Sequence, residues 1–193
     1  MEKMGSKRLT PEERHQSFLD VGLEIFGKRS FDAVSVADIC DAAGVSRPLF
    51  EHYFGSKKAY YVACVAYSLD HLEQTVRRPA IERSMVDPQK YLENMFGFIR
   101  EHPAGAVLLE RAGGVSDAKV LVDQFNDETT ERVLGTLPEP SRTIEVRTAI
   151  ECWHGVNSGL ISRLIRSPEI TVEWAARYSA AMLNSLIAEA SST

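Results

Sequence analysis

The 193-residue sequence predicts an all-α protein, in which a three-helix head precedes a larger helical body, with about nine helices in total. Apolar residues recur every three or four positions in nearly every segment, which is the period of an amphipathic helix. No segment shows the alternating pattern of a half-buried strand, and no Asn-Gly hairpin turn occurs. We place the domain boundary near residue 60, so that the head spans residues 1–60 and the body spans residues 61–193.

Composition and charge restrict the class of protein further. Hydrophobic residues make up 44% and charged residues 25%, which is ordinary for a soluble globular protein. No apolar run reaches the length of about 18 residues that a membrane span needs, and the N-terminus lacks the apolar core of a secretory signal. Three cysteines, an odd number set far apart, indicate structural thiols in a reducing cytoplasm. The net charge of −5 arises in the body, because the head holds nine basic and nine acidic side chains.

The first helix of the head is predicted to begin at Thr10 and to end near Lys28. Thr10 is an N-cap candidate, Pro11 suits the first helical position, and Glu13 completes a capping box. The buried stripe of this helix consists of Phe18, Val21, Gly22, Ile25 and Phe26. Residues 1–9 are expected to form a flexible arm whose basic side chains could follow a phosphate backbone.

Two short helices with a glycine turn between them are predicted for residues 35–54. Ser35 and Asp38 have the spacing of a capping box, and Gly44 suits the left-handed residue that ends the first of the two helices. The apolar stripe of this helix consists of Val36, Ile39, Cys40 and Ala43.

The second short helix is predicted to begin with Ser46 as its N-cap and with Pro48 in its first turn. Phe50 and Phe54, four residues apart, are expected to face the core. The face that remains is shared by Ser46, Leu49, His52 and Tyr53, and it is a poor core face. A brace helix, a glycine turn and an outward-facing second helix make a helix-turn-helix, whose second helix fits the DNA major groove. The alternative is an ordinary helical hairpin.

Ser56 is predicted to cap a fourth helix whose first turn holds Lys57 and Lys58. Positive charge at a helix N-terminus opposes the helix dipole by roughly a few tenths of a kcal/mol. A bound phosphate would reverse this effect, because the free N–H groups and the lysines both favour it. The alternative is a pair of solvated lysines.

The body is predicted to contain the rest of the fourth helix and five more helices, separated by proline and glycine. The fourth helix runs from Ala59 to about Arg78, where Pro79 ends it. The five later helices are expected at residues 88–101, 103–112, 116–137, 141–166 and 171–190.

The stretch from Ser35 to Lys57 reads SVADICDAAGVSRPLFEHYFGSK. It resembles the tetracycline-repressor-like (TetR) family of one-component regulators, whose pattern is T/S-V-x-x-I-A-x-x-A-G-V-S-x-x-x-L-Y-x-H/Y-F-x-S-K. The resemblance covers about 55 residues, and beyond them only the number and lengths of the helices match. It implies a DNA-binding transcriptional regulator, most often a repressor, that binds a palindromic operator as a homodimer and is released by a small-molecule effector.

The resemblance also implies roles for single residues. Arg47, Pro48, Leu49 and His52 match the positions that reach bases, and Ser35, Tyr53 and Lys57 match positions that contact phosphates. Glu51 departs from the family, which usually has tyrosine there, and an acid near a phosphate is repulsive. Glu51 could hold Arg47 in a fixed direction, could accept a hydrogen bond from a cytosine amine, or could make DNA binding weak. We favour the first of these as a hypothesis.

The last two helices contain residues that would allow the close approach of a partner helix. These are Gly155, Gly159 and Ser162 on the eighth helix and Ala176, Ala180, Leu183 and Ile187 on the ninth. Members of the family form a four-helix bundle between two subunits from these helices. The alternative is packing within the core of the same chain.

An effector pocket is expected in the body, with an apolar lining and a few polar groups. The candidate lining residues are Met95, Phe96, Leu109, Phe125, Trp153 and Asn157, together with Phe98 and Leu108. The alternative is that these side chains form core.

Enzymatic interpretations have little support in the sequence. Cys152 and His154 lie two apart on one helix and point about 200° apart, so they cannot form a nucleophile–base pair. Glu151 and His154 have the spacing of di-metal helix bundles, but the only other copy of this pair lies in the head. We therefore expect no catalytic residue, no metal site and no cofactor. The rival function is a helical small-molecule-binding or interaction module with weak or lost DNA binding, which Glu51 and the neutral head favour.

Overall fold

The computed structural model describes residues 10–77 and 87–192, and within these ranges the chain forms nine α-helices and no β-strand. The helices are α1 (Pro11–Lys28), α2 (Val36–Ala43), α3 (Arg47–Phe54), α4 (Lys57–Leu72), α5 (Pro88–Glu101), α6 (Pro103–Arg111), α7 (Ser116–Thr136), α8 (Ile144–Arg166) and α9 (Val172–Ala190). The predicted all-α class is confirmed. The predicted arm at residues 1–9 and the predicted break at Pro79 lie outside the described residues.

Several helix ends are formed by the residues that the sequence predicts. At α1, Thr10 Oγ1 accepts from Glu13 N at 3.1 Å and Glu13 Oε2 accepts from Thr10 N at 2.8 Å, which completes the predicted capping box. Gly44 ends α2 with a φ of 63°, in the left-handed region that favours glycine. A π-helical turn, Glu73–Arg77, extends α4 and was not predicted.

The start of α8 differs from the prediction by three residues. Ser141 lies in a short 3-10 turn, Glu139–Ser141, and does not cap the helix. Thr143 is the N-cap instead, because its hydroxyl accepts from Val146 N at 3.4 Å.

The head consists of α1, α2 and α3 packed around the N-terminal half of α4. Its core includes Phe18, Phe26, Ile39, Phe50, Tyr60 and Cys64, none of which is more than 2% exposed. Tyr60 Oη donates to Phe18 O at 2.6 Å and so ties α4 to α1. Leu108 and Ala112 of the body belong to the same core, which therefore continues past the predicted boundary at residue 60.

The body has a second core, in which α9 packs against both α8 and α5. Its fully or nearly fully buried side chains include Leu92, Phe96, Val146, Ile150, Trp153 and Ala175. Within the described ranges, no helix has the combination of length and apolar character that crossing a membrane requires.

Candidate nucleic-acid interface and ligand cavity

The brace helix α2 is held at its N-terminus by Ser35 and Asp38. Ser35 Oγ accepts from Asp38 N at 3.1 Å and donates to Asp38 Oδ2 at 2.7 Å, while Ser35 N donates to the same oxygen at 2.7 Å. These hydrogen bonds, together with Arg29, hold the pKa of the Asp38 carboxyl well below its usual range. Ser35 itself is exposed, so its predicted phosphate position lies on the surface beside the α2 N-terminus.

The recognition helix α3 turns one side to the core and the other to solvent. Phe50 is fully buried, as predicted, and Phe54 packs on Tyr60 with ring centroids 4.7 Å apart. The exposed side chains form what we call the α3 face: Arg47, Pro48, Glu51 and His52. Ser46 is the N-cap of this helix, as predicted, although its hydroxyl makes no cap hydrogen bond.

Two predicted contact residues of α3 are half-buried at the edge of the α3 face. Leu49 packs against the head core. The Tyr53 ring lies 5.4 Å from the Phe18 ring and 5.6 Å from the His52 ring. Both side chains therefore help to seat α3 on α1 and expose only part of their surface.

Arg47 and Glu51 form the ion pair that the sequence hypothesis requires. Arg47 Nε lies 2.8 Å from Glu51 Oε1, and the two side chains are 74% and 49% exposed. Because the contact uses Nε, the two terminal amino groups of the guanidinium remain free to reach outward. An exposed pair of this kind contributes little to stability, so its significance lies in the direction it gives to Arg47.

Lys57 and Lys58 both have partners within the chain, which neither sequence interpretation anticipated. Lys57 Nζ donates to Phe31 O at 3.0 Å and to Val34 O at 2.9 Å. Lys58 Nζ lies 2.8 Å from Asp117 Oδ2 at the start of α7. Lys57 therefore fixes the loop that leads into α2, and a phosphate would have to share its ammonium group with two carbonyl groups.

Replacing Lys57 with alanine is therefore expected to destabilise the head as well as to weaken DNA binding. Two carbonyl groups lose a charged donor, which should lower the free energy of unfolding by about 1–3 kcal/mol. Lys58→Ala is the matched control, because it removes a neighbouring charge whose exposed ion pair contributes about 0–1 kcal/mol. Thermal or urea unfolding of the two variants measures the difference. Equal stability of both variants would contradict the structural role of Lys57.

A cavity of about 470 Å³ lies between the head and the body. Five of the six predicted effector residues line it, namely Met95, Leu109, Phe125, Trp153 and Asn157. Phe96 does not, because it is fully buried and belongs to the body core, so its predicted place in the pocket is corrected. Among the additional candidates, Phe98 lines the cavity, whereas Leu108 belongs to the head core.

Two cavity residues of α8 are oriented by a buried serine on α9. Trp153 Nε1 donates to Ser179 O at 3.0 Å and lies 3.1 Å from Ser179 Oγ. Ser179 Oγ in turn donates to Asn157 Oδ1 at 2.6 Å. Because the amide oxygen of Asn157 is bonded to Ser179, its amide nitrogen is the group that remains for a ligand.

The cavity wall also contains two polar residues, Thr129 and His154, that the sequence analysis did not place there. His154 Nε2 lies 3.0 Å from Thr130 Oγ1, and burial lowers the pKa of the imidazole. Cys152, two residues earlier, is exposed, so the expected structural role of the thiols fits the buried Cys40 and Cys64 but not this one. Within residues 10–77 and 87–192, no three metal-ligating side chains come together.

The cavity also reaches α1, the first helix of the head, which the sequence analysis did not foresee. Asp20, Leu23 and Glu24 of α1 form part of the wall. Beside them, starting at Tyr67, whose hydroxyl donates to Asp20 Oδ1 at 3.2 Å, lies a group of rings that we call the aromatic rim: Tyr67, His71, Phe98 and His102. The spacing of four between the members of each helical pair in this rim is readable from the sequence, although its position beside α1 is not.

The predicted dimer residues fall into two groups. Gly155 and Gly159 are exposed on α8, where a partner could approach. The assignment of Ser162, Ala176, Ala180 and Leu183 to such a surface is corrected, because they are buried within the protomer, whereas that of the half-buried Ile187 stays a prediction. Ala176, Ala180 and Leu183 are core residues, Ser162 is buried and donates to Glu110 Oε1 at 2.7 Å, and Ile187 is half-buried against the body core. The exposed face of α9 instead presents Trp174 and Tyr178, with rings stacked 5.1 Å apart.

An exposed helix-turn-helix joined to a helical body with a ligand-sized cavity is the architecture of a one-component transcriptional regulator. The model of the family described as "Bacterial regulatory proteins, tetR family" matches residues 18–64, from α1 into α4. Residues 18–64 thus match the DNA-binding part of the TetR family, and the relatives and solved structures below support a TetR-like regulator. Members of this family are transcriptional regulators rather than enzymes.

Curated relatives agree with this assignment. The chain is 31% identical over 117 residues to the HTH-type transcriptional activator FasR of Mycolicibacterium smegmatis, a match that covers 58% of this chain and 52% of FasR. It is 26% identical over 175 residues to the HTH-type transcriptional regulator BetI of Rhizobium meliloti, covering 90% of this chain and 75% of BetI. The chain thus spans about half the length of FasR and three quarters of BetI.

Solved structures share the fold over nearly the whole chain. A TetR-like transcriptional regulator from Rhodococcus sp. RHA1 superposes with a TM-score of 0.75 at 22% identity, covering 94% of this chain and 99% of that one. The fatty acid degradation regulator FadR from Bacillus halodurans gives a TM-score of 0.71 at 13% identity, covering 92% and 96%.

Proposed function

We propose that this protein is a ligand-responsive repressor that binds a palindromic operator as a homodimer and leaves it when a small, largely apolar effector fills the cavity. The observation that supports this most directly is the α3 face. Arg47, Pro48 and His52 are exposed there, while Phe50 anchors the same helix in the head core. A repressor of chromosomal genes acts in the cytoplasm, where we place this protein.

In the proposed complex the N-terminal half of α3 lies in the major groove. Arg47 reads a guanine through O6 and N7, which is the commonest specific contact of a protein with a base. Pro48, Leu49 and His52 approach neighbouring base edges. Phosphate contacts come from the groups that flank this helix, namely Ser35, Tyr53 and Lys57, and they set its register on the duplex.

The proposed dimer forms through the exposed faces of α8 and α9. Gly155 and Gly159 have no side chain to hold a partner helix away, and nothing lies within 4 Å of a Cβ placed at either position. Trp174 and Tyr178 are 40% and 42% exposed, and large aromatic side chains are favoured in the buried centre of an interface. Two-fold symmetry would place the two α3 helices about 34–36 Å apart, one turn of DNA.

The proposed release mechanism runs through α1. This helix lines the cavity with Asp20 and Leu23, and its Phe18 ring packs on Tyr53 and Phe54 of the recognition helix. Arg111 Nη1 donates to Phe26 O at 3.1 Å, which ties α6 of the body to the same helix. A ligand that displaces α1 therefore displaces α3, and the spacing of the two α3 helices in the dimer would no longer match the operator.

Operator binding and oligomeric state test this function together. We expect the full chain to sediment as a dimer and to shift DNA fragments from upstream of its own or a neighbouring gene, with affinity that falls steeply as salt rises. The Arg47→Ala variant should lose preference for the specific fragment and keep weak non-specific binding. A monomeric protein that binds no fragment would contradict the proposal. The alternative function, an interaction module that has lost DNA binding, would then explain the protein better, and Glu51 on the α3 face favours it.

A further inference from the structure

The wall of the cavity is unevenly charged. Four carboxylate side chains line it, Asp20, Glu24, Glu101 and Glu110, and no lysine or arginine is among the described residues of the wall. A ligand inside it therefore meets negative charge and few positive groups.

Two of the four carboxylates already have a cation beside them. Glu24 Oε2 lies 2.8 Å from Lys28 Nζ, and Glu110 Oε1 lies 3.9 Å from Arg166 Nη1. In the part of the chain that the structure describes, Glu101 has no ion pair, and Asp20 Oδ1 accepts only from neutral donors, Tyr67 Oη at 3.2 Å and Gln16 Nε2 at 3.3 Å. Neither of these two carboxylates is therefore paired with a cation among the described residues.

The aromatic rim continues directly from Asp20. The ring of Tyr67, whose hydroxyl contacts Asp20, is stacked with His71 at 6.2 Å. His71 meets Phe98 edge-on at 5.1 Å, and Phe98 lies 4.5 Å from His102. Within this rim, the ring faces of Tyr67 and Phe98 attract ammonium groups, because their ring quadrupoles favour positive charge, as does the carboxylate of Asp20.

The deeper part of the cavity is apolar, with two polar groups that have no partner. Ser68 and Asn157 are only 7% and 6% exposed. Within the described ranges, neither Ser68 Oγ nor Asn157 Nδ2 makes a hydrogen bond, and both atoms remain open to the cavity rather than fully enclosed. Both groups are therefore available to donate a hydrogen bond to a molecule in the cavity.

We propose that the effector is an amphiphilic cation. Its protonated or quaternary amine lies between Asp20 and the aromatic rim, and its largely apolar body enters the cavity past Met95 and Phe125, with a hydrogen-bond acceptor that takes the amide N–H of Asn157. The proposal rests on the proposed function, since it names the effector class of the same cavity. A fatty acid of the same length is disfavoured, because its carboxylate would face Asp20 and Glu101.

Three probes of equal chain length and different charge test this class: decyltrimethylammonium, decanol and decanoate. Each is titrated into the full-length protein below its micelle concentration, with binding followed by calorimetry and by the fluorescence of Trp153 in the cavity wall. We expect decyltrimethylammonium to bind at least about tenfold more tightly than decanoate, with decanol between them. Equal or tighter binding of decanoate overturns the proposal.

Matched variants locate the charge that matters. Asp20→Asn keeps an oxygen for Tyr67 but removes the charge, and it should weaken decyltrimethylammonium about threefold to tenfold while leaving decanol unchanged. Asp70→Asn is the matched control, because Asp70 is an exposed carboxylate of α4 that lies outside the cavity wall and also accepts from a neutral amide, that of Gln74, and its effect should stay below about twofold. If Asp20→Asn weakens decanol as much as the cation, the residue acts only through cavity shape and the proposal is wrong.

The failure of this inference is distinguishable from failure of the proposed function. The three titrations need no DNA, whereas the gel shift measures operator binding alone. If decanoate releases the protein from its operator and decyltrimethylammonium does not, the proposed effector class is wrong and the repressor function stands. If the protein binds the cation tightly but binds no DNA fragment, the proposed repressor function is wrong and the cation site stands.

Discussion

The Arg47→Ala variant is expected to lose about 1–3 kcal/mol of operator binding, a fall in affinity of roughly fivefold to 150-fold. Arg47 stands at the first position of α3 with its side chain 74% exposed, and Glu51 engages only its Nε. The terminal amino groups are therefore free to form the bidentate contact with a guanine. The loss should be confined to one base pair in each half-site. A panel of operators, each with one base pair replaced, identifies the contacted base pair when affinities are measured at one salt concentration. On the operator in which that base pair is replaced, the variant and the wild type should bind with equal affinity.

The same experiment tests the hypothesis that Glu51 holds Arg47 in a fixed direction. If it does, Glu51→Gln should weaken binding to the specific operator and should have no further effect in the Arg47→Ala background, because the two residues act as a unit. The Glu51→Tyr variant separates this from plain repulsion of phosphate. A large gain in affinity with unchanged base preference in Glu51→Tyr would contradict the hypothesis, and additive effects of Glu51→Gln and Arg47→Ala would do the same.

The sequence predicted the features that depend on neighbours in the chain. The capping boxes at Thr10 and at Ser35, the left-handed Gly44 and the buried Phe50 all follow from residues within four positions of one another. The pairing of Arg47 with Glu51 is also local, and it was foreseen as one of three possibilities. Local spacing decides such contacts because the helix itself brings residues i and i+4 together.

Features that depend on distant contacts could not be predicted in this way. The carbonyl partners of Lys57 lie 23 and 26 residues earlier in the chain, so the sequence showed only an unfavourable charge at a helix start. Apolar periodicity marked Phe96 and Met95 alike as buried, but only the packing of α5 between α9 and the cavity decides which of them a ligand would touch. Small residues such as Ala176 suit a core and an interface equally, and here they pack in the core of the protomer.

Replacing Gly22 with alanine is expected to destabilise the head severely. A Cβ at this position would lie 2.2 Å from Cys64 Sγ and 2.8 Å from Tyr60 Oη, and real Cβ contacts are not that short. The Tyr60 hydroxyl cannot move without breaking its hydrogen bond to Phe18 O, and Cys64 is fully buried. Overpacking of a tight core costs about 1–3 kcal/mol and sometimes more, and this site belongs in the upper part of that range. Urea unfolding at a fixed protein concentration measures the loss.

Two further variants give this prediction a control and a rescue. Gly97→Ala in α5 meets nothing within 4 Å, so it should be neutral or stabilise the helix by up to about 1 kcal/mol. Adding Cys64→Ala to Gly22→Ala removes the nearer clash and should recover part of the lost stability, though not all, since the Tyr60 oxygen remains. A Gly22→Ala variant as stable as the wild type would mean that α1 can move away from α4 at little cost. The same finding would weaken the proposed release mechanism, which requires α1 to be held firmly enough that a shift at the cavity moves the recognition helix with it.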